Sequence, residues 1–271
     1  MGFKMSLIDD IDRVAIQPFA QQAFDCYQEY LSQDRGDDNP LNFDDFLRAE
    51  VLRQGRTFCN TPFLAGMYTY TYMVQHMRAF QAAINPTSSY FSELENTLFV
   101  DFGCGPGTVA LALREAFPNR PLNYTGLDLC DSMLDVASNL LGATRLQGEV
   151  ELRNGFDITR VVFVFSYVFS QENIINAFDY FIDTMAGCLK DLDLISSAVL
   201  ATNMQFGGDF DLFIDELKAR DMCNLDKSGY GNYYMKSDSY GFTAFREMDI
   251  QQRVTIGGRT VYSKQFQVWL P

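Results

Sequence analysis

The sequence predicts an α/β chain that is built on a mostly parallel sheet, with an antiparallel hairpin at the carboxyl-terminal edge and a helical lid in front. From Thr97 onward, short apolar runs alternate with helical patterns, as in parallel strands joined by helices. The residues before that point show helical spacing of apolar side chains. Near the end of the chain, Gly257-Gly258 separates two strand-like segments. We therefore expect a helical lid over residues 1–92 and a core over residues 93–271.

The amino-terminal region carries two helix signals. Asn42 followed by Asp45 resembles a capping box, and apolar residues then recur at helical spacing until Gly55. A second helix is predicted from Pro62 to Ala83, and Asn85-Pro86 closes it. Nothing in this region indicates a strand-rich domain.

The core pattern alternates strands and helices in chain order. Compact apolar runs predict strands, and amphipathic segments predict the helices between them. The predicted strands are Leu98–Phe102, Leu122–Asp128, Arg160–Phe165 and Ile195–Thr202, and the predicted helices are Val109–Phe117, Asp131–Leu141 and Glu172–Leu189.

The carboxyl-terminal segment differs from the alternating core. Gln251–Ile256 and Thr260–Trp269 flank the glycine pair and should form the edge hairpin. Asn224–Gly241 is rich in Tyr, Ser, Gly and Asp, and we expect a loop there.

Composition narrows the classes of partner. The chain has 271 residues with 35 acidic and 21 basic side chains, and its formal charge of -14 repels polyanions, so nucleic acid is a poor candidate substrate. No apolar stretch approaches the ~20 residues that span a bilayer. Six scattered cysteines form no CxxC pair and no zinc-like spacing, which favours a reduced, cytoplasmic chain without a metal.

A glycine-rich segment follows the first predicted core strand. Val100–Thr108 has the sequence VDFGCGPGT, and a strand that ends in glycines before a helix lets a ligand approach the backbone. The spacing is GxGxG, which differs from the GxGxxG of a dinucleotide fold.

A carboxylate stands at the tip of the next strand. Asp128 lies 21 positions beyond Gly107, where an acid can accept hydrogen bonds from both hydroxyls of a ribose. Asp101 and Asp128 should bracket one crevice, because ligands of open α/β sheets bind at the carboxyl ends of the strands.

DFGCGPGT followed by GLDLCDSML resembles the first two motifs of the class I, Rossmann-like S-adenosylmethionine-dependent methyltransferases. The resemblance covers Thr97–Thr202 and implies S-adenosylmethionine as the cofactor. In that family the glycine loop passes along the methionine portion, the acid holds the ribose, and apolar residues lie near the adenine. By position, the implied cofactor-binding residues are Asp101, Gly103, Cys104, Gly105, Gly107, Thr108, Asp128, Leu129 and Met133.

The family often presents an acidic or amide side chain to adenine after its third strand, with an apolar neighbour. Phe156 and Asp157 occupy that place here, although Asp157 is equally well explained as a turn residue. The strand at Arg160 follows almost at once and leaves no room for a normal third helix. Either that helix is absent or the strand register differs.

Methyltransferases place the residues that face the transferred methyl after the fourth strand. Ser166 and Tyr167 fall there and should border the cofactor and the acceptor, although a buried strand end explains them as well. The Asp/Asn-Pro-Pro-aromatic sequence of N- and base-methylating enzymes is not matched, which argues against that subclass.

Three aromatic residues are spaced four apart in the lid. A helix would stack Tyr68, Tyr72 and His76 on one face, where they could roof the pocket, with His76 as a base. The alternative is a helix that packs an aromatic face on the core. Together with Tyr167, these are the candidate catalytic residues.

Three functions remain open from the sequence. The first is an S-adenosylmethionine-dependent methyltransferase that acts on an oxygen or nitrogen atom of a small molecule or peptide. The second is a non-catalytic S-adenosylmethionine-binding scaffold, because cofactor binding alone does not prove transfer. The third, an NAD-dependent oxidoreductase, is disfavoured by the glycine spacing and by the absence of a Tyr-x-x-x-Lys set.

Overall fold

The computed structural model describes residues 7–33, 39–84, 89–170, 174–203, 207–223, 229–235, 238–241, 245, 248, 253–256 and 259–270. Ten strands lie in two sheets. The strands are β1 (Thr97–Phe102), β2 (Asn123–Leu127), β3 (Thr144–Leu146), β4 (Glu149–Leu152), β5 (Arg160–Ser166), β6 (Ser196–Asn203), β7 (Gly229–Met235), β8 (Asp238–Gly241), β9 (Arg253–Ile256) and β10 (Arg259–Gln267).

The main sheet has eight strands in the order β3-β4-β2-β1-β5-β6-β10-β7, and β8 and β9 form a separate pair. The central strands β2, β1, β5 and β6 are parallel, whereas the strands on both flanks are antiparallel. This arrangement confirms the Rossmann-like α/β class with an antiparallel carboxyl-terminal edge.

Helices cover both faces of this sheet. Their bounds are α1 (Leu7–Ile11), α2 (Ala20–Ser32), α3 (Phe43–Phe46), α4 (Pro62–Tyr68), α5 (Val74–Ala83), α6 (Ser89–Ser92), α7 (Thr108–Ala116), α8 (Asp131–Leu141), α9 (Phe178–Asp191) and α10 (Gly208–Ala219).

The two helix starts of the amino-terminal region have side-chain caps. Asn42 accepts a hydrogen bond from the backbone N–H of Asp45 at 2.9 Å, which confirms the predicted start of α3. Thr61 caps α4 in the same way. A π-helical turn at Thr69–Met73 joins α4 to α5, so the predicted helix runs through Ala83 as expected. Asn85-Pro86 lies outside the described residues.

The amino-terminal helices share one apolar core with one face of the sheet. Ile11 of α1 and Phe80 of α5 belong to the same buried cluster as Phe99 of β1 and Leu134 of α8. On that face α4 packs against α8, and α5 packs against α7. A second cluster on the other face joins α9 and α10 to the sheet. The predicted helical region therefore packs on the core.

The third helix of the alternating pattern is absent. Between β4 and β5, residues 153–159 are all described and contain no helix. Instead β3 and β4 form a hairpin, and β4 runs antiparallel to β2, with Leu152 opposite Tyr124. The loss of this helix, rather than a register error, explains the early strand at Arg160.

Three predictions at the end of the core need correction. β10 pairs with β6 and β7, whereas β9 pairs with β8, so Gln251–Ile256 and Thr260–Trp269 are not hairpin partners. The expected loop Asn224–Gly241 contains β7 and β8, because tyrosines favour strands and β10 offers a free edge. The helix expected from Glu172 begins at Phe178.

Candidate functional site

The loop from β1 to α7 is held by backbone bonds and by left-handed glycines. The N–H of Cys104 donates to the carbonyl of Leu127 at 3.0 Å, which ties the loop to β2. Gly103, Gly105 and Gly107 have φ values of 65°, 53° and 81°, a region that favours glycine. A Cβ on Gly105 would meet nothing within 4 Å, whereas one on Gly107 would lie 2.9 Å from Leu141. Gly105 therefore faces open space, and Gly107 allows α7 and α8 to pack closely.

Asp128 is tied to this loop at the end of β2. Its Oδ2 accepts a hydrogen bond from the N–H of Gly105, and its Oδ1 accepts one from the N–H of Cys130, both at 2.8 Å. Burial raises the pKa of this carboxyl, and the hydrogen bonds from Cys130, Gly105 and Leu129 oppose that rise. Each carboxylate oxygen keeps acceptor capacity, which suits the two hydroxyls of a ribose.

Asp101 is a second buried acid, on β1. It is 1% exposed, and its Oδ2 accepts a hydrogen bond from the hydroxyl of Tyr124 at 2.7 Å. Oδ1 has no hydrogen-bond partner in the described part of the chain. Burial raises the pKa of Asp101 to about 8, the charge of Asp128 adds to that rise, and the bond from Tyr124 opposes it. A buried acid with a free oxygen favours a cationic ligand.

Apolar side chains line the far side of Asp128. Leu129 follows it directly and is 84% exposed. The N–H of Asp128 donates to the carbonyl of Gly148 at 3.3 Å, so the turn between β3 and β4 lies at the same edge. Leu146, just before this turn, is also exposed. Leu146 and Gly148 had no motif signal in the sequence.

These residues fit S-adenosylmethionine in each part. The two acids suit the positive charge and the ribose of the cofactor, the open side of Gly105 admits it past the backbone, and the exposed leucines offer a surface for a base. Of the other implied residues, Cys104 and Thr108 are buried in the loop and in the first turn of α7, and Met133 is a buried residue of α8.

Phe156 and Asp157 do not belong to this site. The carbonyl of Asp157 accepts a hydrogen bond from the side chain of Asn96, and the N–H of Asn154 donates to the side chain of Asn123. Asn96 and Asn123 stand at the amino-terminal ends of β1 and β2, opposite the crevice. The antiparallel direction of β4 is the reason, because it carries the chain that follows to the wrong edge of the sheet for an adenine contact.

The four candidate catalytic residues come together. The rings of Tyr68 and Tyr72 are 5.1 Å apart, those of Tyr72 and His76 are 5.9 Å apart, and His76 stacks on Tyr167 at 3.9 Å. Burial raises the pKa of Tyr68, and the charges of Cys59, Asp128, Tyr72 and Tyr167 add to the rise, so Tyr68 lies within electrostatic range of Asp128. Tyr167 has a left-handed φ of 64° just after β5. We call these four residues the aromatic cluster.

The ends of β5 and β6 and one cysteine of the amino-terminal region complete the surroundings. Ser166 accepts a hydrogen bond from the hydroxyl of Thr202 at 3.1 Å, which ties the end of β5 to β6. Cys59 is buried near Cys130 and Asp128, and burial raises the pKa of both thiols to about 12. Both thiols are therefore protonated at neutral pH and are not nucleophiles. No pattern in the sequence pointed to Cys59.

The described residues form neither a metal site nor a membrane span. No group of histidine, cysteine and acidic side chains there is arranged to hold a metal ion. Within the same residues, no helix combines the length and the apolar character that a membrane span requires.

Comparison with known proteins identifies the central segment. Residues 99–191, about a third of the chain, match the family model described as a methyltransferase domain. No curated protein sequence matches the chain.

Solved structures give weak likenesses over most of the chain. The plantazolicin methyltransferase BpumL in complex with SAH is 9% identical, with 92% of this chain and 99% of that chain covered and a TM-score of 0.38. The N-terminal domain of human METTL16 with SAH is 12% identical, with 92% of each chain covered and a TM-score of 0.36. Mitomycin 7-O-methyltransferase MmcR is 13% identical, with 92% of this chain and 68% of that chain covered and a TM-score of 0.34.

Proposed function

The chain carries a class I S-adenosylmethionine-dependent methyltransferase domain, and we propose that it transfers the methyl group to an oxygen or nitrogen atom of a small molecule or peptide. The observation that carries this proposal is the position of Asp128. Its carboxylate accepts a hydrogen bond from the glycine loop, and its charge raises the pKa of Tyr68 in the aromatic cluster. This arrangement supports the proposal that a ribose acceptor and a roof over the reacting atoms share one crevice.

The proposed mechanism needs little chemistry from the protein. When bound, S-adenosylmethionine supplies a methyl group on a sulfonium sulfur, and this sulfur is a leaving group that needs no metal. Asp128 accepts the ribose hydroxyls, and Oδ1 of Asp101 balances positive charge. The aromatic cluster orients the acceptor and excludes water. An imidazole nitrogen of His76 accepts a proton where the acceptor carries one.

The charge of the chain favours a small molecule or peptide as the acceptor. The net charge of -14 opposes the approach of a nucleic acid. No cationic side chain among the described residues pairs with Asp101 or Asp128, so these two acids offer a polyanion no basic contact. A neutral or cationic acceptor is therefore favoured over a polyanion.

Residues 1–92 are proposed to act as a lid and acceptor region over the core, 93–271. The support is that they contribute three of the four rings of the aromatic cluster. They also bring Cys59 beside Cys130, at the start of α8. A region that shares its core with the sheet is not expected to fold as an independent domain.

Calorimetry with S-adenosylmethionine and with NAD tests the cofactor, and mass spectrometry of candidate acceptors tests transfer. We expect S-adenosylmethionine alone to bind. Asp128→Asn should weaken binding by about 1.5–3 kcal/mol, the usual worth of hydrogen bonds to a charged group.

Gly105→Val should abolish binding, because its side chain enters the crevice. The matched control is Gly155→Val between β4 and β5, where φ is 81° and a Cβ would also meet nothing within 4 Å. Preferred binding of NAD, or full affinity in both site variants, would contradict the proposed site. Cofactor binding without methyl gain on any acceptor would favour the scaffold function.

A further inference from the structure

Tyr124 on β2 reaches diagonally to Asp101 on the neighbouring strand β1. In the register of β1 and β2, Asp101 lies opposite Gly126, and Tyr124 lies opposite Phe99. The hydroxyl of Tyr124 nevertheless donates to Oδ2 of Asp101 at 2.7 Å, so its ring extends along the strand over Gly126. A Cβ on Gly126 would lie 2.7 Å from that hydroxyl oxygen and 2.8 Å from a ring carbon. The contact therefore requires glycine at position 126.

The surroundings leave Asp101 little freedom. Tyr124 is fully buried, and Asp101 is 1% exposed. The sulfur of Cys104 lies against the same space, 2.9 Å from the position of a Cβ on Gly126, and the thiol donates to the carbonyl of Gly105 at 3.5 Å. With Oδ2 bonded to the tyrosine, Oδ1 is buried and has no hydrogen-bond partner among the described residues.

The hydroxyl of Tyr124 serves Asp101 and interacts with the side chain of Cys104, and it adds nothing to the apolar packing. A phenylalanine would fill the same buried volume, and without the hydroxyl Asp101 would lose its single side-chain partner. A buried carboxyl group costs stability unless a ligand compensates it. The glycine loop that follows β1 begins two residues after Asp101. The resemblance implies that this loop passes along the methionine portion of the cofactor, which carries an ammonium group.

We propose that Tyr124 is a positioning residue for the amino-acid end of the cofactor: its hydroxyl turns Asp101 so that Oδ1 receives the ammonium group of S-adenosylmethionine. This inference rests on the proposed function. Tyr124 acts through Asp101 and does not touch the ligand, and Gly126 makes the contact possible. Tyr124 thus contributes to the affinity for ligands that carry the ammonium group and not to the affinity for the nucleoside alone.

Calorimetry of Tyr124→Phe with three ligands tests this inference. S-adenosylmethionine and S-adenosylhomocysteine carry the ammonium group, whereas 5′-methylthioadenosine lacks it. We expect the variant to bind the first two about tenfold more weakly and 5′-methylthioadenosine within about twofold of the unmodified protein. Tyr70→Phe is the matched control, since Tyr70 donates to Asp44 at 2.8 Å within the lid; it should leave all three affinities unchanged.

Equal weakening for all three ligands would show a merely structural role for Tyr124, and no weakening would also overturn the inference. If the phenylalanine variant does not fold, Gly126→Ala provides the same comparison, because its Cβ displaces the tyrosine hydroxyl. The proposed function fails separately: it is refuted when the unmodified protein binds none of the three ligands. The inference alone is refuted when that protein binds them and the variant keeps the same ratio of affinities.

Discussion

Replacing Asp101 by asparagine should remove a pH-dependent loss of stability. Burial raises the pKa of Asp101 from its ordinary value of 3.8 to about 8, so the fold favours the neutral carboxyl group. In the unfolded chain the same group ionises near pH 3.8. Between these two values folding must take up a proton, and the free energy of unfolding therefore falls as the pH rises. The Asp101→Asn variant takes up no proton at this position, so its stability lacks this dependence on pH.

The size of the effect follows from linkage. Each pH unit inside this window costs about 1.4 kcal/mol. Between about pH 5 and pH 7.5 the contribution of Asp101 to the free energy of unfolding should fall by about 3 kcal/mol. The stability of Asp101→Asn relative to the unmodified protein should rise by that amount over the same interval. The amide oxygen of asparagine still accepts the hydroxyl of Tyr124, so the comparison preserves the local bond.

Urea denaturation of both proteins at the two pH values, without cofactor, measures this difference. Asp44, whose pKa is also raised, titrates alike in both proteins and cancels. Asp128 is coupled by charge to Asp101, so its titration forms part of the measured difference. A stability difference between the two proteins that is the same at both pH values would refute the reasoning. It would show that Asp101 is ionised in the folded chain over the whole interval.

Three further predictions follow from the site. Binding of S-adenosylmethionine near pH 7 should release about one proton, because the positive charge of the cofactor ionises Asp101. Calorimetry in buffers of different ionisation enthalpy detects the released proton. A heat of binding that does not depend on the buffer would contradict this prediction. Tyr72→Phe should stabilise the fold by about 1 kcal/mol, because the buried hydroxyl of Tyr72 has no partner among the described residues. Tyr70→Phe should destabilise the fold, because the hydroxyl of Tyr70 donates to Asp44. Urea denaturation measures both free energies of unfolding, and the opposite order of stability would contradict this reasoning. Cofactor should slow proteolysis of residues 1–92, and indifference to cofactor would count against the lid.

The sequence was informative where local patterns and physical needs coincide. The buried run before the glycines, the left-handed turns and the acid at the next strand end are all short-range features, and the structure brings Asp101, Gly105 and Asp128 to one edge. The helical spacing of Tyr68, Tyr72 and His76 likewise predicted a shared face, and their rings lie together. Their roles in binding and catalysis stay predictions.

The wrong predictions concern elements whose position depends on strand direction or on pairing between distant parts of the chain. Phe156 and Asp157 were placed by counting strands, and the hairpin of β3 and β4 reverses the direction of the third one. Thr144–Leu146 is too short for its alternation to be recognised. Gly229–Met235 has loop-like composition, and its pairing with β10 is invisible to local patterns. No sequence pattern points to Cys59 as a neighbour of the site. For Tyr124 the available pattern is a glycine two residues later, Gly126, which leaves room for the tyrosine ring on the same face of β2.

The hairpin of β3 and β4 also has a consequence for the order of folding. A parallel neighbour would need a crossover of a dozen or more residues, whereas Leu146 and Glu149 pair across a two-residue turn. Closing so short a loop costs little chain entropy, so this pair should form early and on its own. The parallel pairs of β1 with β2 and β5 join distant parts of the chain and should form later. We therefore expect the edge of the sheet beside Asp128 to be in place before the centre of the sheet is complete.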